Sequence, residues 1–348
     1  MARKPSTGAN LATIARELGI SSSTVSRALR GAEGIHSTTR VQVMQAAKNL
    51  GYERPGTKTA ALAGNAHILM ALAQCSTASD QRFLSGMSRA SVMLNLSILS
   101  HHVPAEECHQ ILDPKHQPNP LRSGMAEGLV LIHRWPREVA LHLSERWPTV
   151  SIIHQYPGTL IDHVGIDDRS GIALLVEHLH ASGLKRIGFF GYCREMSWAR
   201  SRLAAFMEAQ MSLDLAYHPK DTIAVTLEEA AAPVYFPEGD WTTAIRKQMK
   251  EGVDAWVCAS SGTAQSLCRY FTSQGIRMPE DVSVTGYHAS MNMLQGLPVI
   301  SSTLISDEEL GAAALRRLLH RLQHPDESQR SILLPSKFLQ GETTPQAK

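Results

Sequence analysis

From about residue 66 onward, short apolar segments alternate with longer amphipathic segments, and this alternation constrains the fold more than any other feature of the chain. Short apolar runs are typical of strands buried on both faces, and apolar residues at every third or fourth position are typical of helices packed on a sheet. We therefore expect α/β architecture, with parallel sheets covered by helices in two lobes and a ligand cleft beyond the carboxyl ends of the strands. The expected strands are HILMALA, LSILSH, GLVLIH, VSIIH, RIGFFG, TIAVT, AWVCAS, VSVTGY and SSTLI, and the expected helices include RFLSGMSRASVML, GIALLVEHLHASG, RSRLAAFMEAQ, WTTAIRKQMKEG and DEELGAAALRRLLHRLQ.

The composition fits a protein of two or three domains, because 348 residues with 43% hydrophobic content are enough for ordinary buried cores. No stretch approaches the roughly 18 uninterrupted apolar residues of a membrane span, and the basic start MARKPSTGAN lacks the apolar region of a secretory signal. The five cysteines form no CxxC pair, which is typical of reduced thiols. We expect a soluble, cytoplasmic protein that contacts no membrane.

The charge of the chain is distributed unevenly. Residues 1–58 contain nine Lys and Arg residues against three acids, a net charge of +6, which leaves −4 on the remainder of a chain whose net charge is +2. A small basic segment joined to a mildly acidic body is typical of a nucleic-acid-binding module attached to another domain.

Three short helical patterns follow one another in this basic segment. NLATIAREL places Leu11, Ile14, Ala15 and Leu18 on one face, Gly19 supplies a tight turn, and Ser21 can cap a second helix, SSTVSRAL. A third pattern, TTRVQVMQAAKNL, has Val41, Met44, Ala47 and Leu50 as its expected apolar stripe. A helix, a glycine-containing turn and a second helix predict a small all-α helix-turn-helix unit, whose second helix lies in the major groove of DNA. The alternative is a three-helix bundle with exposed serines and no DNA role.

The run from Leu11 to Pro55 resembles the headpiece of the LacI/GalR family of bacterial repressors. The matching residues are Ile14, Ala15, Gly19, Ser21, Thr24, Val25, Ser26, Arg27, Leu29, Thr39, Arg40, Leu50, Gly51, Tyr52 and Pro55. This resemblance implies that Ser22, Ser23 and Arg27 read bases, and that Ser21, Thr24, Ser26, Arg30, Thr39 and Tyr52 contact phosphates. The chain departs from the family pattern at Thr13, Arg30 and His36, where the family has Asp, Asn and Ser.

The segment after the headpiece resembles the hinge of the same family. ALAGN places Leu62 where family members insert a leucine into the minor groove at a central base step, an insertion that unstacks bases and is offset by contacts to bent DNA. The alternative is an ordinary alanine-rich linker. The expected domains are a headpiece at 1–56, a hinge at 57–66 and an effector-binding and dimerisation core at 67–348. Its first lobe spans about 67–165 and 299–328, and its second lobe about 166–298 and 329–345.

The core resembles the family more loosely, through VGIDDRSGIALLVEHLHASGLKRIGFFG and PEDVSVTGY. The resemblance implies a fold similar to periplasmic sugar-binding proteins, with two lobes joined by three crossovers, and a homodimer with helix 82–94 near its interface. It places Arg202 at the arginine that grips the ligand, and Asp167 and Asp168 at the start of the second lobe. The other expected effector-binding residues are His288, Asp80 and Ser260, which depart from the family pattern, and Trp198 and Tyr235, which are candidates for stacking.

A pocket that keeps Arg202 and carries His288 in place of an acid tolerates a negative ligand better, so we expect a sugar or sugar-acid effector in the manner of gluconate-type regulators. The alternative is that His288 only satisfies a strand end and Asp80 is a surface acid. The whole pattern predicts a DNA-binding transcription regulator, most simply a repressor, that binds a pseudo-palindromic operator as a dimer under allosteric control.

Three other classes of protein compete with this interpretation. A transport-type binding protein should carry a signal peptide and no headpiece. An enzyme should carry a catalytic motif, but the chain has no P-loop, GxSxG, HExxH or dinucleotide glycine pattern. The most metal-like cluster, His101, His102, Cys108 and His109, matches no common zinc spacing, so we expect neither a metal nor a cofactor. A regulator that responds to a partner protein instead of a small molecule stays open.

Overall fold

The computed structural model of the chain describes residues 10–29, 37–50, 67–73, 78–232, 235–288 and 297–346. Its helices are α1 (Leu11–Leu18), α2 (Ser22–Leu29), α3 (Ser37–Asn49), α4 (Ala78–Leu94), α5 (Asn119–Arg122), α6 (Arg137–Ser144), α7 (Asp168–Ala181), α8 (Ser197–Ser212), α9 (Leu227–Ala231), α10 (Trp241–Lys250), α11 (Ser261–Ser273) and α12 (Asp307–Gln323). Two 3₁₀ helices cover Ala105–Leu112 and Pro219–Asp221. The strands are β1 (Ile68–Ala73), β2 (Ser97–His102), β3 (Gly128–Leu131), β4 (Thr149–Ile152), β5 (Asp162–Ile166), β6 (Ile187–Tyr192), β7 (Thr222–Ala224), β8 (Ala255–Cys258), β9 (Ser283–Gly286), β10 (Ser301–Leu304), β11 (Ser331–Leu334) and β12 (Lys337–Leu339).

The chain divides into two units. The first contains the N-terminal segment through His67 together with Pro118–Ala126, and the second contains Ile68–Gln117 and Glu127–Lys348. None of the helices in the described ranges is both long enough and apolar enough to cross a membrane.

The first unit contains α1, α2 and α3 packed around one small core. Its buried residues are Ile14, Ala15, Val25, Ala28, Val43, Ala46 and Ala47. The inward faces predicted for the first two helices are confirmed. The stripe predicted for the third helix is wrong at Met44, which is 60% exposed, because Val43 faces the core instead.

The second unit contains two sheets of six strands. The first sheet has the order β11-β5-β4-β3-β1-β2, and its pairs are all parallel. The second has the order β12-β10-β9-β8-β6-β7, in which β12 runs antiparallel to β10 and the other pairs are parallel. Both faces of β3, β4 and β8 are buried, as expected of parallel strands covered by helices. The predicted two-lobed α/β core with mainly parallel sheets is confirmed.

Three crossovers join the lobes. The chain passes from β5 to α7, returns from β10 to α12, and passes again from β11 to β12. The predicted lobe boundaries are wrong at two strands: β10 pairs in the second sheet, and β11 pairs in the first. Helix α12 packs against α4, β3, β4 and β5, so it belongs to the first lobe as expected.

Helices α4 and α12 approach each other so closely that glycine is needed on both. A Cβ at Gly86 would overlap the Glu308 carbonyl, and a Cβ at Gly311 would overlap the Phe83 carbonyl. This contact fixes the start of α12, which faces the cleft between the lobes, against the first lobe.

Candidate DNA-binding surface and effector cleft

The turn between α1 and α2 has the geometry that its sequence predicts. Asn10 caps α1 by accepting a hydrogen bond from the Thr13 amide at 3.0 Å. Gly19 ends the helix in the left-handed conformation, with φ of 65°, which glycine adopts without steric cost. Ser21 then caps α2, because its Oγ accepts a hydrogen bond from the Thr24 amide at 3.0 Å.

The start of α2 presents a cluster of hydroxyl groups to solvent. The Oγ of Ser21 lies 2.7 Å from the hydroxyl oxygens of both Ser23 and Thr24. Ser21, Ser22 and Ser23 are exposed, and Thr24 is half-buried. Hydroxyls at a helix N-terminus, where backbone N–H groups also point outward, suit phosphate oxygens and base edges.

Arg27 and Ser26 lie one turn further along α2. The Arg27 side chain is exposed on the face opposite the buried Val25 and Ala28, and Ser26 is half-buried. Thr39 is half-buried in α3. Three further predicted DNA contacts, Arg30, Tyr52 and Leu62, lie outside the described residues.

A small cavity lies between the two lobes of the second unit. The first lobe contributes residues from β5 and from the segment that follows β4, and the second lobe contributes the first residues of α7 and α8. Among the described residues, its lining consists of Ile153, Gln155, His163, Ile166, Asp168, Ser197, Trp198, Ser201 and Arg202. The structure thus brings together three residues singled out from the sequence: Arg202, Trp198 and Asp168.

Arg202 is buried and held from several sides. Its Nε donates to Asp168 Oδ1 at 2.9 Å, and its Nη1 donates to the Ala259 carbonyl at 2.7 Å. The guanidinium carbon lies 4.8 Å from the ring centroid of Trp198 and 4.1 Å from that of Tyr287. A guanidinium fixed in this way is preorganised to bind a ligand oxygen.

Asp80 and His288 each bond a protein group of opposite charge. Asp80, at the start of α4, is buried and forms an ion pair with His133 Nε2. His288 Nε2 lies 2.7 Å from Oδ1 of the buried Asp307, at the start of α12. Neither Asp80 nor His288 is among the residues that line the cavity.

Ser260 and Tyr235 have local roles outside the cavity lining. Ser260 caps α11, with its Oγ accepting from the Thr263 amide at 3.2 Å. Tyr235 is 41% exposed, and the Arg269 guanidinium carbon lies 4.3 Å from its ring centroid.

Sequence reasoning missed three histidines of the first lobe. His133 follows β3, His154 follows β4, and His163 lies within β5. His163 Nε2 donates to the Ile153 carbonyl at 3.2 Å, and the Gln155 amide lies 3.5 Å from His163 Nδ1. The signal was present, because two of the predicted strands, GLVLIH and VSIIH, end in histidine.

Two of these histidines are kept neutral. Burial is the main cause that lowers the pKa of His154 to about 3, and the positive charges of Arg134 and Arg202 add to it. Burial also lowers the pKa of His163, against the opposing effects of the Ile153 carbonyl and Asp168. The neutral His163 imidazole adds a hydrogen-bonding group to the cavity lining, and Arg202 adds a basic one.

The cleft also contains strained backbone. His133, Ile153 and His288 have φ of 71°, 68° and 61°, and each follows a strand that ends at the cleft. Left-handed conformations are unfavourable for histidine and, above all, for β-branched isoleucine, and they concentrate at functional sites.

Comparison with known proteins finds a matching family model in each of the two units. Residues 10–55 match the family model for bacterial regulatory proteins of the lacI family, and residues 176–344 match that for the periplasmic binding protein-like domain. The HTH-type transcriptional repressor CytR of Escherichia coli K12 is 23% identical over 333 residues, which cover 92% of each chain. That relative is a transcriptional repressor and not an enzyme, in agreement with the class predicted from the sequence.

Solved structures show the same fold. The Lac repressor dimer bound to operator and the anti-inducer ONPF superimposes with a TM-score of 0.61 at 23% identity, covering 97% of this chain and 99% of that one. The transcriptional regulator CelR in complex with cellobiose gives a TM-score of 0.64 at 21% identity, covering 96% and 99%.

Proposed function

Because this chain belongs to the lacI family of bacterial regulatory proteins, we propose that it is a repressor that binds a pseudo-palindromic operator as a dimer and responds to a sugar or sugar acid in its cleft. The observation that carries the DNA-binding part is the exposed, hydroxyl-rich start of α2 behind a glycine turn. A helix presented in this way suits the major groove. The Lac repressor dimer bound to operator supports the dimeric arrangement by analogy.

The residues of the headpiece divide into two roles in this proposal. Exposed side chains at the start and middle of α2 read base edges, and Arg27 reads guanine through two hydrogen bonds. The surrounding hydroxyl and basic groups bind phosphates and set the register of the helix on the duplex. The base-reading residues are Ser22, Ser23 and Arg27, and the phosphate-binding residues are Ser21, Thr24, Ser26, Arg30, Thr39 and Tyr52.

Selection of the full-length protein on randomised DNA of about 30 base pairs, at moderate salt, tests operator binding. We expect a pseudo-palindrome, since a two-fold dimer presents two equal headpieces to two half-sites. Leu62→Ala should weaken binding by removing the contact at the central base step. Leu160→Ala, a matched change at a leucine that is 68% exposed on the surface of the effector-binding domain, should leave binding unchanged. Enrichment no better than salt-sensitive, sequence-independent binding would overturn the operator proposal.

The groups that line the cleft suit a small ligand with hydroxyl groups and a negative charge. The Trp198 ring offers an apolar face, Gln155, Ser197 and Ser201 offer polar groups, and Arg202 offers a positive charge. The nearby acids Asp80 and Asp307 pair with His133 and His288, and Asp168 pairs with Arg202 through Nε. An anionic ligand would therefore share the Arg202 guanidinium with Asp168.

Release of the selected operator, measured by fluorescence anisotropy with glucose and gluconate as matched probes, tests the ligand class. We expect gluconate to change operator affinity at lower concentration than glucose, because its carboxylate is the better partner for Arg202. If glucose acts at an equal or lower concentration, the proposal of a sugar-acid effector is overturned and the proposal of an uncharged sugar effector stands.

A further inference from the structure

One ion pair connects the second lobe directly to the first at the edge of the cleft. His288 follows β9 in the second lobe, and Asp307 begins α12, which packs on the first lobe. The His288 Nε2 and Asp307 Oδ1 atoms are 2.7 Å apart. Any movement that separates the lobes at this point must break or rearrange this contact.

Asp307 is a fixed anion on the first-lobe side. Its side chain is 2% exposed, and its Oδ2 accepts a hydrogen bond from Arg82 Nε at 2.8 Å. Burial alone would raise the pKa of Asp307, but the hydrogen bonds and charges of His288 and Arg82 lower it overall. Asp307 also lies in the first turn of α12, where the helix dipole favours a negative charge.

His288 is held in position on the second-lobe side. Its backbone N–H donates to Thr303 Oγ1 at 3.0 Å, and its φ of 61° is strained for a histidine. Among the described residues, the charged groups that face it are Asp307 from α12 and, through Asp307, Arg82 from α4. The ring of the neighbouring residue Tyr287 contacts the Arg202 guanidinium, whose carbon lies 4.1 Å from the ring centroid.

We propose that the His288–Asp307 pair is a proton-sensitive latch between the lobes, which stabilises the observed lobe arrangement as pH falls from about 8 to 6. Imidazole is the side chain that most readily changes charge near neutral pH, and an imidazolium forms a stronger, charge-assisted bond to a buried carboxylate than a neutral ring does. The Asp80–His133 pair lies within the first lobe and gives no such bridge, so protonation there does not latch the lobes.

Its consequence for regulation rests on the proposed function. An effector that binds the latched arrangement should bind more tightly at low pH, and one that requires separated lobes should bind more weakly, each by the same factor as the shift in lobe populations. The latch itself is independent of the effector and of DNA.

The distance between the lobes is measurable by double electron–electron resonance on the full-length protein without DNA or ligand. Spin labels are placed at two exposed positions, with Gln110→Cys in the first lobe and Lys247→Cys in the second. The four described native cysteines are buried, and Cys75→Ala removes the fifth. We expect the ratio of latched to separated molecules to rise at least about threefold from pH 8 to pH 6, within the tenfold limit per pH unit for one linked proton.

His288→Gln separates the latch from general pH effects. The glutamine amide still donates to Asp307 but does not titrate, so the lobe ratio should lose its pH dependence. His180→Gln, at an exposed histidine on α7, is the matched control and should keep the wild-type response. Asp307→Asn is a second variant that removes the anion and should likewise flatten the response.

Two results would overturn the latch: a wild-type lobe ratio that stays constant between pH 8 and pH 6, or a His288→Gln protein that keeps the full wild-type change. Neither depends on whether an operator or a sugar-acid effector is found. A parallel titration with gluconate at both pH values shows whether the latch reaches the effector site. If the distance measurement confirms the latch but gluconate binds equally well at both pH values, only the regulatory consequence is overturned.

Discussion

Arg202 lies over the ring of Tyr287, with its guanidinium carbon 4.1 Å from the ring centroid. The same guanidinium bonds Asp168 and the Ala259 carbonyl, so its plane is fixed before any ligand arrives. A lysine at this position would keep the charge but lose the planar stacking and one of the two bonds.

Arg202→Lys should therefore weaken gluconate binding by about tenfold or more, roughly 1.4 kcal/mol. Isothermal titration calorimetry measures this loss directly. Arg200→Lys, two residues earlier on α8 and exposed, should bind gluconate as the wild type does. Unchanged affinity in Arg202→Lys would remove Arg202 from the effector site.

Arg27→Lys should relax base preference at one position of each operator half-site. Arginine bonds the two acceptors of guanine together, and a lysine ammonium does not match that geometry, so discrimination should fall by about 1–3 kcal/mol. Competition binding with single-base operator variants measures this. Arg16→Lys, on the exposed face of α1, should leave the preference intact, and an unchanged preference in Arg27→Lys would contradict the base-reading role.

Asp162 is fully buried and bonds two arginines of α12. Arg317 Nε donates to Oδ2 at 2.7 Å, and Arg321 Nη2 donates to Oδ1 at 2.7 Å. Asp162→Asn leaves both guanidinium groups without their buried anion, so we expect a loss of about 3–5 kcal/mol in unfolding free energy at pH 7. Urea unfolding followed by circular dichroism measures it, with the exposed Asp326→Asn as control.

The same carboxylate predicts a specific acid response. Burial would raise the pKa of Asp162, but hydrogen bonds from Arg321, Arg317 and the Arg330 amide lower it overall. A depressed folded-state pKa gives stability that is present above the unfolded value of about 3.9 and is lost as pH falls through the folded value. Asp162→Asn should therefore lose less stability than the wild type between pH 5 and pH 3.

We expect His154 to lower the unfolding free energy of the wild type as the pH falls from 7.5 to 5. Its pKa is about 3 in the folded state and about 6.5 when unfolded, so below pH 6.5 the unfolded chain binds a proton that the folded chain excludes. This difference lowers the unfolding free energy by on the order of 2 kcal/mol at pH 5. His154→Gln should reduce that acid loss, as measured by urea unfolding at pH 7.5 and pH 5.

The exposed His180→Gln variant is the control and should behave as the wild type does. An acid loss in His154→Gln equal to that of the wild type would show that this imidazole is not kept neutral. Global unfolding reports on His154, whereas the distance between the lobes reports on His288, so the two pH effects are separable.

The headpiece was predictable because its determinants are local. The cap by Ser21, the left-handed Gly19 and the buried Val25 all follow from residues within about ten positions of one another. Helix α3 shows the limit of this reasoning, since Val43 and Met44 are adjacent and the choice of the inward residue depends on how the helix is rotated against α1 and α2.

The core was predictable in its alternation but not in its shortest strands. Strands β5 and β12 were missed because they are short and carry polar residues such as Asp162 and Lys337, and β11 was missed because its apolar run is only three residues long. The pattern of the first lobe likewise gave no indication that β11 returns to pair with β5.

The sequence by itself determined the class of fold and the helix-turn-helix unit, because periodicity, caps and turns are properties of neighbouring residues, whereas Arg202 was expected in the cleft only through the family resemblance. Only the tertiary structure decided that His133 bonds Asp80, that His288 bonds Asp307 and that His154 is kept neutral. These relationships join residues far apart in the chain, and their energies depend on burial and on atomic distances, which exist only after both sheets and their crossovers have formed.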